Sequence, residues 1–332
     1  MRRVFVAILA MLVLCTGCVP KEESISLFAM DTLMGLTAYG AQAKQALLAC
    51  EKQIHALDAL FSPVATGSDV MRINQSAGQW VDVSYDTAAL LQQALALGDM
   101  TGGLMDVSIY PLVDAWGFIG NNGHVLSVAQ IQAAKALVDY HLVETDGQRV
   151  RVGPNRGIVF GAVGKGYLSH VLMQTLRDNG VTSATVELGG NVQVLGLKPD
   201  GNAWRVGVKD PNETNGLLGV LKVSDSAVIT SGAYQRNFTQ EGVFYHHILD
   251  PNTGYPSDSD LISATIVCQD GTMADALSTA VFIMGLDEAL AFWRRQGGFD
   301  MILATKAGEV HYTQGLVFEP NRQTSYRFVE DA

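Results

Sequence analysis

The spacing of apolar residues differs between the two halves of the chain. In the first half they recur every three or four positions, which predicts helices at 41–62, 86–100, 127–140 and 164–179. From residue 184 onwards apolar and polar residues alternate. The alternation predicts strands in ATVEL, VQVLGL, WRVGV, GVLKV, AVITS and LISATIVC. A helix-rich region followed by a strand-rich region indicates an α+β fold, with two parts that can be subdomains folded together.

Capping and turn residues mark the ends of several elements. Asp86 is placed to cap the N-terminus of the helix at 86–100, and Ser127 with Gln130 forms a capping-box pattern. A helix ending in Asn-Gly is predicted to stop before residue 180. Two hairpins are also predicted, in NFTQEGVFYHHIL and MILATKAGEVHYT.

A predicted helix at 274–285, ADALSTAVFIMG, carries two side-chain oxygens within an apolar sequence. Asp275 and Thr279 are four residues apart and therefore share one helix face. A carboxylate in apolar surroundings must be paired, bound to a metal or protonated. Hard oxygen ligands suit Mg²⁺ or Ca²⁺. The structural alternative is that Asp275 caps the helix and Thr279 bonds back to the carbonyl of Asp275.

The first 17 residues have the features of a targeting segment. Two arginines precede an apolar stretch that is shorter than a membrane span, and LCTGC follows. This pattern resembles a bacterial lipoprotein cleavage box and predicts a signal peptide at 1–17 with a lipid anchor on Cys18. Residues 18–27 then form a tether and 28–332 the folded domain. Alternatives are an ordinary secretory signal and a redox C-x-x-C motif.

Composition and charge restrict the classes of partner that the chain can bind and the compartment in which it works. The net charge is −11 and becomes −13 when the signal peptide with its two arginines is removed, which argues against a nucleic-acid partner. A hydrophobic content of 48% and a charged content of 17% argue against disorder. Apart from the predicted anchor, the mature chain contains Cys50 and Cys268, which are expected to be free, buried thiols. We expect a folded domain tethered at the periplasmic or extracytoplasmic face of a bacterial membrane.

Three glycine-rich segments have both a structural and a functional interpretation. Asp106 follows a Gly pair and suits a turn or a helix cap. In GIVFGAVGKGY, residues 157–167, the glycines allow a close ligand and Lys165 can meet a phosphate, although a packing turn explains them equally well. This is not a Walker loop, because Tyr follows the last Gly. Gly189-Gly190 between two strand patterns indicates a bulge or a close ligand.

A histidine pair precedes an Asp-Pro turn in HHILDPNTGYP. Adjacent residues of a strand point to opposite faces, so at most one of His246 and His247 faces a given site. The turn explains the Asp and Pro residues but gives no reason for the histidines.

Eight segments, in this order along the chain, resemble motifs of the FAD:protein FMN transferase family, the ApbE-like flavin transferases. They are MDTLMGLT, SDVMRIN, GGLMDVSIYPLVDAWGF, GAVGKGY, VELGGNVQVLG, TSGAYQRNF, HILDPNTGYP and ADALSTAVFIMG. The resemblance runs from about Met30 to Gly285. It implies two α/β subdomains that flank a central flavin-binding cleft, with FAD as substrate and Mg²⁺ at its pyrophosphate.

The resemblance also implies a role for individual residues. The implied metal ligands are the carbonyl of Ala162 and the side chains of Asp275 and Thr279. The implied flavin-binding residues are Met34, Asp106, Lys165, Gly189, Gly190 and His247. The implied catalytic residues are His247 and Asp275, with His247 as the base.

The implied reaction is Mg²⁺-dependent transfer of FMN from FAD to a Ser or Thr of an acceptor protein, typically an exported subunit of a membrane redox complex. Two alternatives are an FAD pyrophosphatase, which gives FMN and AMP, and a non-catalytic flavin-binding lipoprotein. Two positions depart from the family pattern. Val159 replaces an Asp, and Val64 aligns with a Tyr that often stacks on the isoalloxazine. Loss of aromatic stacking weakens flavin affinity by about 1 kcal/mol, which favours turnover over storage.

Overall fold

A computed structural model describes residues 20–330, except for 121, 214 and 322–324. The helices are α1 (Ala43–Phe61), α2 (Asp69–Asn74), α3 (Tyr85–Met100), α4 (Tyr110–Ala115), α5 (Val128–Lys135), α6 (Gly164–Asp178), α7 (Gly271–Met284) and α8 (Leu286–Gln296). A 3₁₀ turn covers Tyr140–Leu142. The predicted signal peptide, 1–17, and its anchor Cys18 lie outside the described residues.

The strands follow in chain order. They are β1 (Glu22–Ala29), β2 (Thr32–Tyr39), β3 (Val81–Asp82), β4 (Glu144–Asp146), β5 (Arg149–Arg151), β6 (Ala184–Leu188), β7 (Asn191–Leu195), β8 (Trp204–Lys209), β9 (Leu217–Val223), β10 (Ser226–Gly232), β11 (Asn237–Gln240), β12 (Val243–His246), β13 (Leu261–Cys268), β14 (Asp300–Thr305), β15 (Glu309–Thr313), β16 (Phe318–Pro320) and β17 (Ser325–Val329).

One mixed sheet organises the molecule. Its nine strands lie in the order β1-β2-β6-β7-β10-β13-β14-β15-β17. Neighbours are antiparallel except β15 and β17, which are parallel. Two three-stranded sheets, β16-β9-β8 and β3-β5-β4, and the β11-β12 hairpin complete the strands. The predicted α+β class, with mixed helices and strands, is confirmed.

Helix α7 lies between two hydrophobic cores. Ala276 and Ala280 pack into the core formed by β1, β2, β6 and helices α1, α3 and α6. Leu277 and Val281 pack into the core formed by β10, β13, β14 and α8. This position explains why α7 is apolar around its whole circumference: it has no solvent-facing side along most of its length. The two cores are joined through α7 and the large sheet.

The beginning of the fold differs from the sequence-based expectation. Residues 22–27, assigned to the tether at 18–27, belong to β1, which pairs with β2 along its whole length from Glu22↔Tyr39 to Ala29↔Thr32. The predicted tether at 18–27, and with it the predicted domain start at 28, was therefore wrong for these residues. Exposed and partly buried side chains alternate strictly along β1, and the polar-apolar alternation from Ser24 to Leu27 was a usable strand signal.

Predicted helix ends are partly confirmed. Ser127 and Gln130 make both hydrogen bonds of the capping box at α5. The Asp86 cap was wrong: Ser84 has extended backbone and accepts the Thr87 N–H at 3.1 Å, so Asp86 lies in the first turn of α3. There the carboxylate of Asp86 accepts the Tyr167 hydroxyl at 2.9 Å.

Both cysteines of the described chain, Cys50 and Cys268, are buried and free, as the sequence predicts. Burial raises the pKa of each thiol to about 12. No helix in the described part of the chain has the length and apolarity needed to cross a membrane.

Candidate active site

The carboxylate of Asp275 is buried in the middle of the molecule, with the residue 4% exposed. It does not cap α7, because that role belongs to Asp270, whose side chain accepts the N–H groups of Thr272 and Met273 at 2.7 and 3.1 Å. Asp275 lies more than one turn further into the helix. The capping interpretation of Asp275 was therefore wrong, and its burial needs another explanation.

Two donors from distant parts of the chain hold the Asp275 carboxylate. The backbone N–H of Gly166, in the first turn of α6, donates to Oδ2 at 2.8 Å. The side-chain amide of Asn191, at the start of β7, donates to Oδ1 at 2.9 Å. Burial raises the pKa of Asp275, while the positive charge of Lys165 and these donors act in the opposite direction. The carboxylate is thus placed at the positive end of α6.

Gly166 makes this arrangement possible because it lets α6 and α7 approach closely. A Cβ at position 166 would lie 2.2 Å from the carbonyl oxygen of Gly271 and 2.6 Å from the Cβ of Asp275. Packing therefore explains Gly166 without a ligand. Gly161, by contrast, is exposed and has nothing within 4 Å of its Cβ position.

The carbonyl of Ala162 is left without its ordinary helical partner. In a regular helix the Gly166 N–H would donate to the carbonyl four residues earlier, but here it donates to Asp275. The described residues donate no hydrogen bond to this carbonyl. Ala162 is partly exposed in the turn that precedes α6, so its oxygen is free to take another partner.

The hydroxyl of Thr279 lies one turn after Asp275 and is partly exposed. Its Oγ1 is 3.3 Å from the Oγ of Ser231 on β10. Ser278, not Thr279, bonds back to the carbonyl of Asp275, at 2.8 Å. The alternative role predicted for Thr279 was therefore wrong, and its oxygen remains on the same face as Asp275.

These oxygens fit a hard divalent cation. Within the ranges that the structure describes there is no cluster of three His, Cys, Asp or Glu side chains able to hold a metal. A metal at this site would rely on one carboxylate, Asp275, together with the neutral oxygens of Ala162 and Thr279. One carboxylate plus neutral oxygens, with the remaining positions filled by water or phosphate, suits Mg²⁺ better than zinc.

His247 and His246 have different surroundings, as strand alternation predicts. His246 is buried: its Nε2 lies 3.1 Å from the carbonyl of Ser257, and its ring meets Phe282 of α7 edge-on. His247 follows the end of β12, and both its backbone N–H and its Nδ1 lie 3.1 Å from the carbonyl of Arg236. The Asp-Pro turn does not hold His247.

The electrostatics keep the His247 imidazole neutral. Part of the residue reaches solvent, but most of the ring is enclosed by protein. Burial is the main cause that lowers the pKa of His247 to about 4, with smaller contributions from the positive charges of Lys165 and Arg236, while the hydrogen bond to the Arg236 carbonyl acts in the opposite direction. Since a carbonyl oxygen can only accept, Nδ1 carries the proton and the lone pair is on Nε2. The positive charge of Lys165 lowers the pKa of both Asp275 and His247, so the two predicted catalytic residues share one electrostatic environment.

Gly189 and Gly190 form the two-residue turn of the β6-β7 hairpin. Their φ angles are +60° and +97°, and the closing pair is Leu188↔Asn191. The predicted bulge was wrong, because the pair connects the strands. The turn delivers Asn191 to Asp275. Sequence reasoning missed Asn191, although its position directly after a Gly-Gly turn was a usable signal.

A family model described as ApbE family matches residues 30–303. The chain belongs to the ApbE family. Relatives with the same printed name align with most of its length. It is 36% identical over 261 residues to the FAD:protein FMN transferase of Klebsiella pneumoniae (strain 342), covering 76% of this chain and 80% of the relative. It is 30% identical over 324 residues to that of Treponema pallidum (strain Nichols), covering 90% and 88%.

Solved ApbE structures share the fold. The crystal structure of the ApbE protein from Thermotoga maritima superposes with a TM-score of 0.81 at 31% identity, covering 91% of this chain and 97% of that one. The apo form of the flavinyl transferase ApbE from Pseudomonas stutzeri gives a TM-score of 0.79 at 27% identity, covering 91% and 95%.

Two residues predicted to bind flavin in this ApbE family member have structural roles. Met34 on β2 is fully buried in the core. Asp106 is buried in a turn, where one carboxylate oxygen accepts both the N–H and the hydroxyl of Ser108, at 2.7 and 2.6 Å. Burial raises the pKa of Asp106. Their contact with flavin stays a prediction, as does that of Gly189 and Gly190.

Two cavities lie away from these residues. One, of about 870 Å³, is lined among others by Cys268, Trp293 and Arg294. The other, of about 520 Å³, follows the loop at 250–260. Neither is lined by Asp275, Thr279 or Lys165, so the position of the flavin-binding cleft predicted for this ApbE family member stays a prediction. Val64, at the expected stacking position, is exposed.

Proposed function

We propose that this chain transfers FMN from FAD to a Ser or Thr hydroxyl of an acceptor protein and releases AMP. The proposal is supported by the family and by relatives that carry the name FAD:protein FMN transferase. The structural observation that carries it is the buried carboxylate of Asp275, which accepts hydrogen bonds from Gly166 and Asn191. The positive charge of Lys165 lowers the pKa both of this carboxyl and of the neutral His247.

In the proposed reaction the acceptor oxygen attacks the phosphorus on the FMN side of the pyrophosphate. The bond from that phosphorus to the bridging oxygen breaks, and AMP leaves with the electron pair. The proton of the hydroxyl goes to Nε2 of His247. A neutral imidazole whose Nδ1–H is fixed by the Arg236 carbonyl suits this role near pH 7. Lys165 attracts the phosphates to the site.

Mg²⁺ is the proposed cofactor. Asp275, Thr279 and the carbonyl of Ala162 would hold it, and the single buried carboxylate with neutral oxygens supports this choice. When bound, the ion would neutralise charge on the pyrophosphate and on the leaving AMP. The strongly negative net charge of the chain makes a local cation more necessary for an anionic substrate.

The proposed location follows from the N-terminal sequence. A signal peptide at 1–17 and a lipid on Cys18 would place the chain at the periplasmic or extracytoplasmic face of a bacterial membrane, where an exported subunit of a redox complex is the proposed acceptor. Cys18→Ala is expected to release the protein from membranes or to leave the precursor uncleaved. Fractionation and mass measurement of the N-terminus test this. Normal processing with membrane retention would contradict it.

The function itself is tested with FAD and Mg²⁺, with and without an acceptor domain that carries a flavinylation motif. Free AMP and protein-bound flavin fluorescence are measured separately. The expected result is AMP and bound flavin in equal amounts, both dependent on the acceptor. AMP without bound flavin would identify an FAD pyrophosphatase. Bound FAD with no AMP would identify a flavin-binding lipoprotein without catalysis.

A further inference from the structure

The orientation of His247 depends on the backbone of Arg236. The carbonyl of Arg236 accepts both the backbone N–H and Nδ1–H of His247, each at 3.1 Å. Arg236 immediately precedes β11, and His247 immediately follows β12. The two residues therefore extend the base of the β11-β12 hairpin by one more pair, and a movement of Arg236 would move the imidazole with it.

The side chain of Arg236 connects this hairpin to another part of the molecule. Its Nη2 lies 3.6 Å from the Oδ2 of Asp31, in the turn between β1 and β2. The β11-β12 hairpin is a separate two-stranded sheet, and an isolated hairpin has little stability of its own. One of its faces packs on the aromatic cluster around Phe118. The ion pair adds a second point of attachment, next to His247.

The turn that carries Asp31 has a left-handed backbone, which an aspartate tolerates better than a methionine does. Met30 and Asp31 form a two-residue turn with φ angles of +47° and +59°. Such turns favour Asn-Gly or Gly-Gly, because a side chain in the left-handed region is strained. The Met30 N–H fixes the turn by donating to Asp58 at 3.1 Å, and the exposed Asp31 carboxylate lies within ion-pair distance of Arg236. Strain of this kind concentrates at functional sites.

We propose that Arg236 is a positioning residue for His247, and that Asp31 holds Arg236 in place so that Nε2 of His247 faces the reacting hydroxyl. This inference rests on the proposed function, because it assigns His247 the role of base. Neither Asp31 nor Arg236 needs to touch the substrate. Their contribution is the orientation of the imidazole.

Asp31→Gly separates positioning from folding. Glycine removes the left-handed strain, so the melting temperature is expected to stay the same or rise. The carboxylate is lost, so kcat for flavin transfer is expected to fall about tenfold, as for a small misplacement of a catalytic group. KM for FAD should change little. Asp31→Glu, which keeps the charge, should retain most of the transfer.

Arg236→Gln provides a readout other than activity. It keeps the carbonyl that binds His247 but removes a nearby positive charge. Because that charge lowers the His247 pKa, the pKa measured by NMR titration of the imidazole should rise in the variant. This rise shows that the guanidinium lies beside the imidazole, and kcat of the same variant shows whether it also positions the ring. kcat should fall as in Asp31→Gly.

Arg177 and Asp225 provide a matched control. Their side chains lie 3.2 Å apart, Arg177 is as exposed as Arg236, and Asp225, although less exposed than Asp31, also has a left-handed backbone, φ +44°. Arg177→Gln and Asp225→Gly should leave kcat unchanged. The inference is overturned if Asp31→Gly keeps full kcat, if its kcat falls only in parallel with the melting temperature, or if the control pair loses as much. Absence of transfer by the unaltered protein would instead reject the proposed function.

Discussion

The backbone N–H of Gly166 and the carboxylate of Asp275 are 2.8 Å apart, so the first turn of α6 and the middle of α7 meet at one buried point. A methyl group at position 166 has no room there, since it would lie 2.2 Å from the Gly271 carbonyl. Gly166→Ala is therefore expected to separate the helices, with a loss of about 1–3 kcal/mol in the free energy of unfolding.

Gly166→Ala should lower transfer activity by a larger factor than it lowers the fraction of folded protein. The reason is that the Asp275 carboxylate moves relative to Lys165. Urea unfolding and transfer rates measure the two effects. Gly161→Ala is the control, because its Cβ position has open space. Equal behaviour of the two variants would show that the close approach of the helices is unimportant.

Asn191 is the second donor to Asp275. In Asn191→Ala the buried Oδ1 loses its hydrogen bond, which costs about 1–3 kcal/mol. The pKa of Asp275 should rise further, because a donor that stabilises the carboxylate is gone. The expected functional result is a higher Mg²⁺ requirement for FAD cleavage. Measuring AMP release against Mg²⁺ concentration tests this, with Asn202→Ala, in an exposed loop, as control. An unchanged Mg²⁺ requirement would argue against Asn191 as a support for Asp275.

Local patterns predicted many elements well. The capping box of α5 and the ends of α6 depend on residues within four positions, and both are where the sequence indicates. The hairpin β11-β12 turns at Glu241-Gly242, both in the left-handed region. By contrast, Ser84 and Asp86 are both good caps, and the sequence alone does not decide between them.

Local sequence patterns could not predict the contacts that form the site, because these contacts join residues far apart in the chain. Asn191 and Asp275 are 84 positions apart, and Gly166 and Asp275 are 109 apart. No periodicity encodes a contact of that kind. The family resemblance supplied Asp275 and His247, but the contact between Asp31 and Arg236 depends on how a turn of the first hairpin lies against the β11-β12 hairpin. That geometry follows only from the assembled sheet.

Metal binding to Asp275 should be visible without any substrate. If Mg²⁺ binds the native chain, it raises the free energy of unfolding by about 1.4 kcal/mol at ten times its dissociation constant. The melting temperature should therefore increase with Mg²⁺ and return when EDTA is added. Asp275→Asn should remove this increase, whereas Asp178→Asn on the exposed end of α6 should keep it. Because burial raises the pKa of Asp275, the Mg²⁺ effect should weaken as the pH falls. The same increase in Asp275→Asn would place the metal elsewhere.

The low pKa of His247 makes a prediction about pH. With a folded pKa of about 4 and an ordinary value of 6.5, the native imidazole stays neutral in this interval while the unfolded chain takes up a proton. The free energy of unfolding should therefore decrease as the pH falls from 6.5 towards 4. Above pH 6.5 the imidazole is neutral in both the folded and the unfolded chain, so the full stability is present there. In His247→Gln that part of the decrease should disappear, as measured by urea unfolding at pH 7.5 and 5.0. An NMR titration of His247 with a pKa of 6.5 or higher would contradict the burial of its ring.

His247 and His246 also separate catalysis from folding. In His247→Ala the acceptor hydroxyl loses its base, and transfer should fall by about 10²–10⁴-fold while FAD and Mg²⁺ binding persist. In His246→Ala the bond to Ser257 and the edge contact with Phe282 are lost, so the melting temperature should fall and transfer should follow only the folded fraction. FAD affinity, melting temperature and transfer rate are measured on both variants. Equal losses of transfer, or loss of FAD binding in His247→Ala, would reject His247 as the base, because a residue that only accepts a proton during the reaction does not have to hold the substrate.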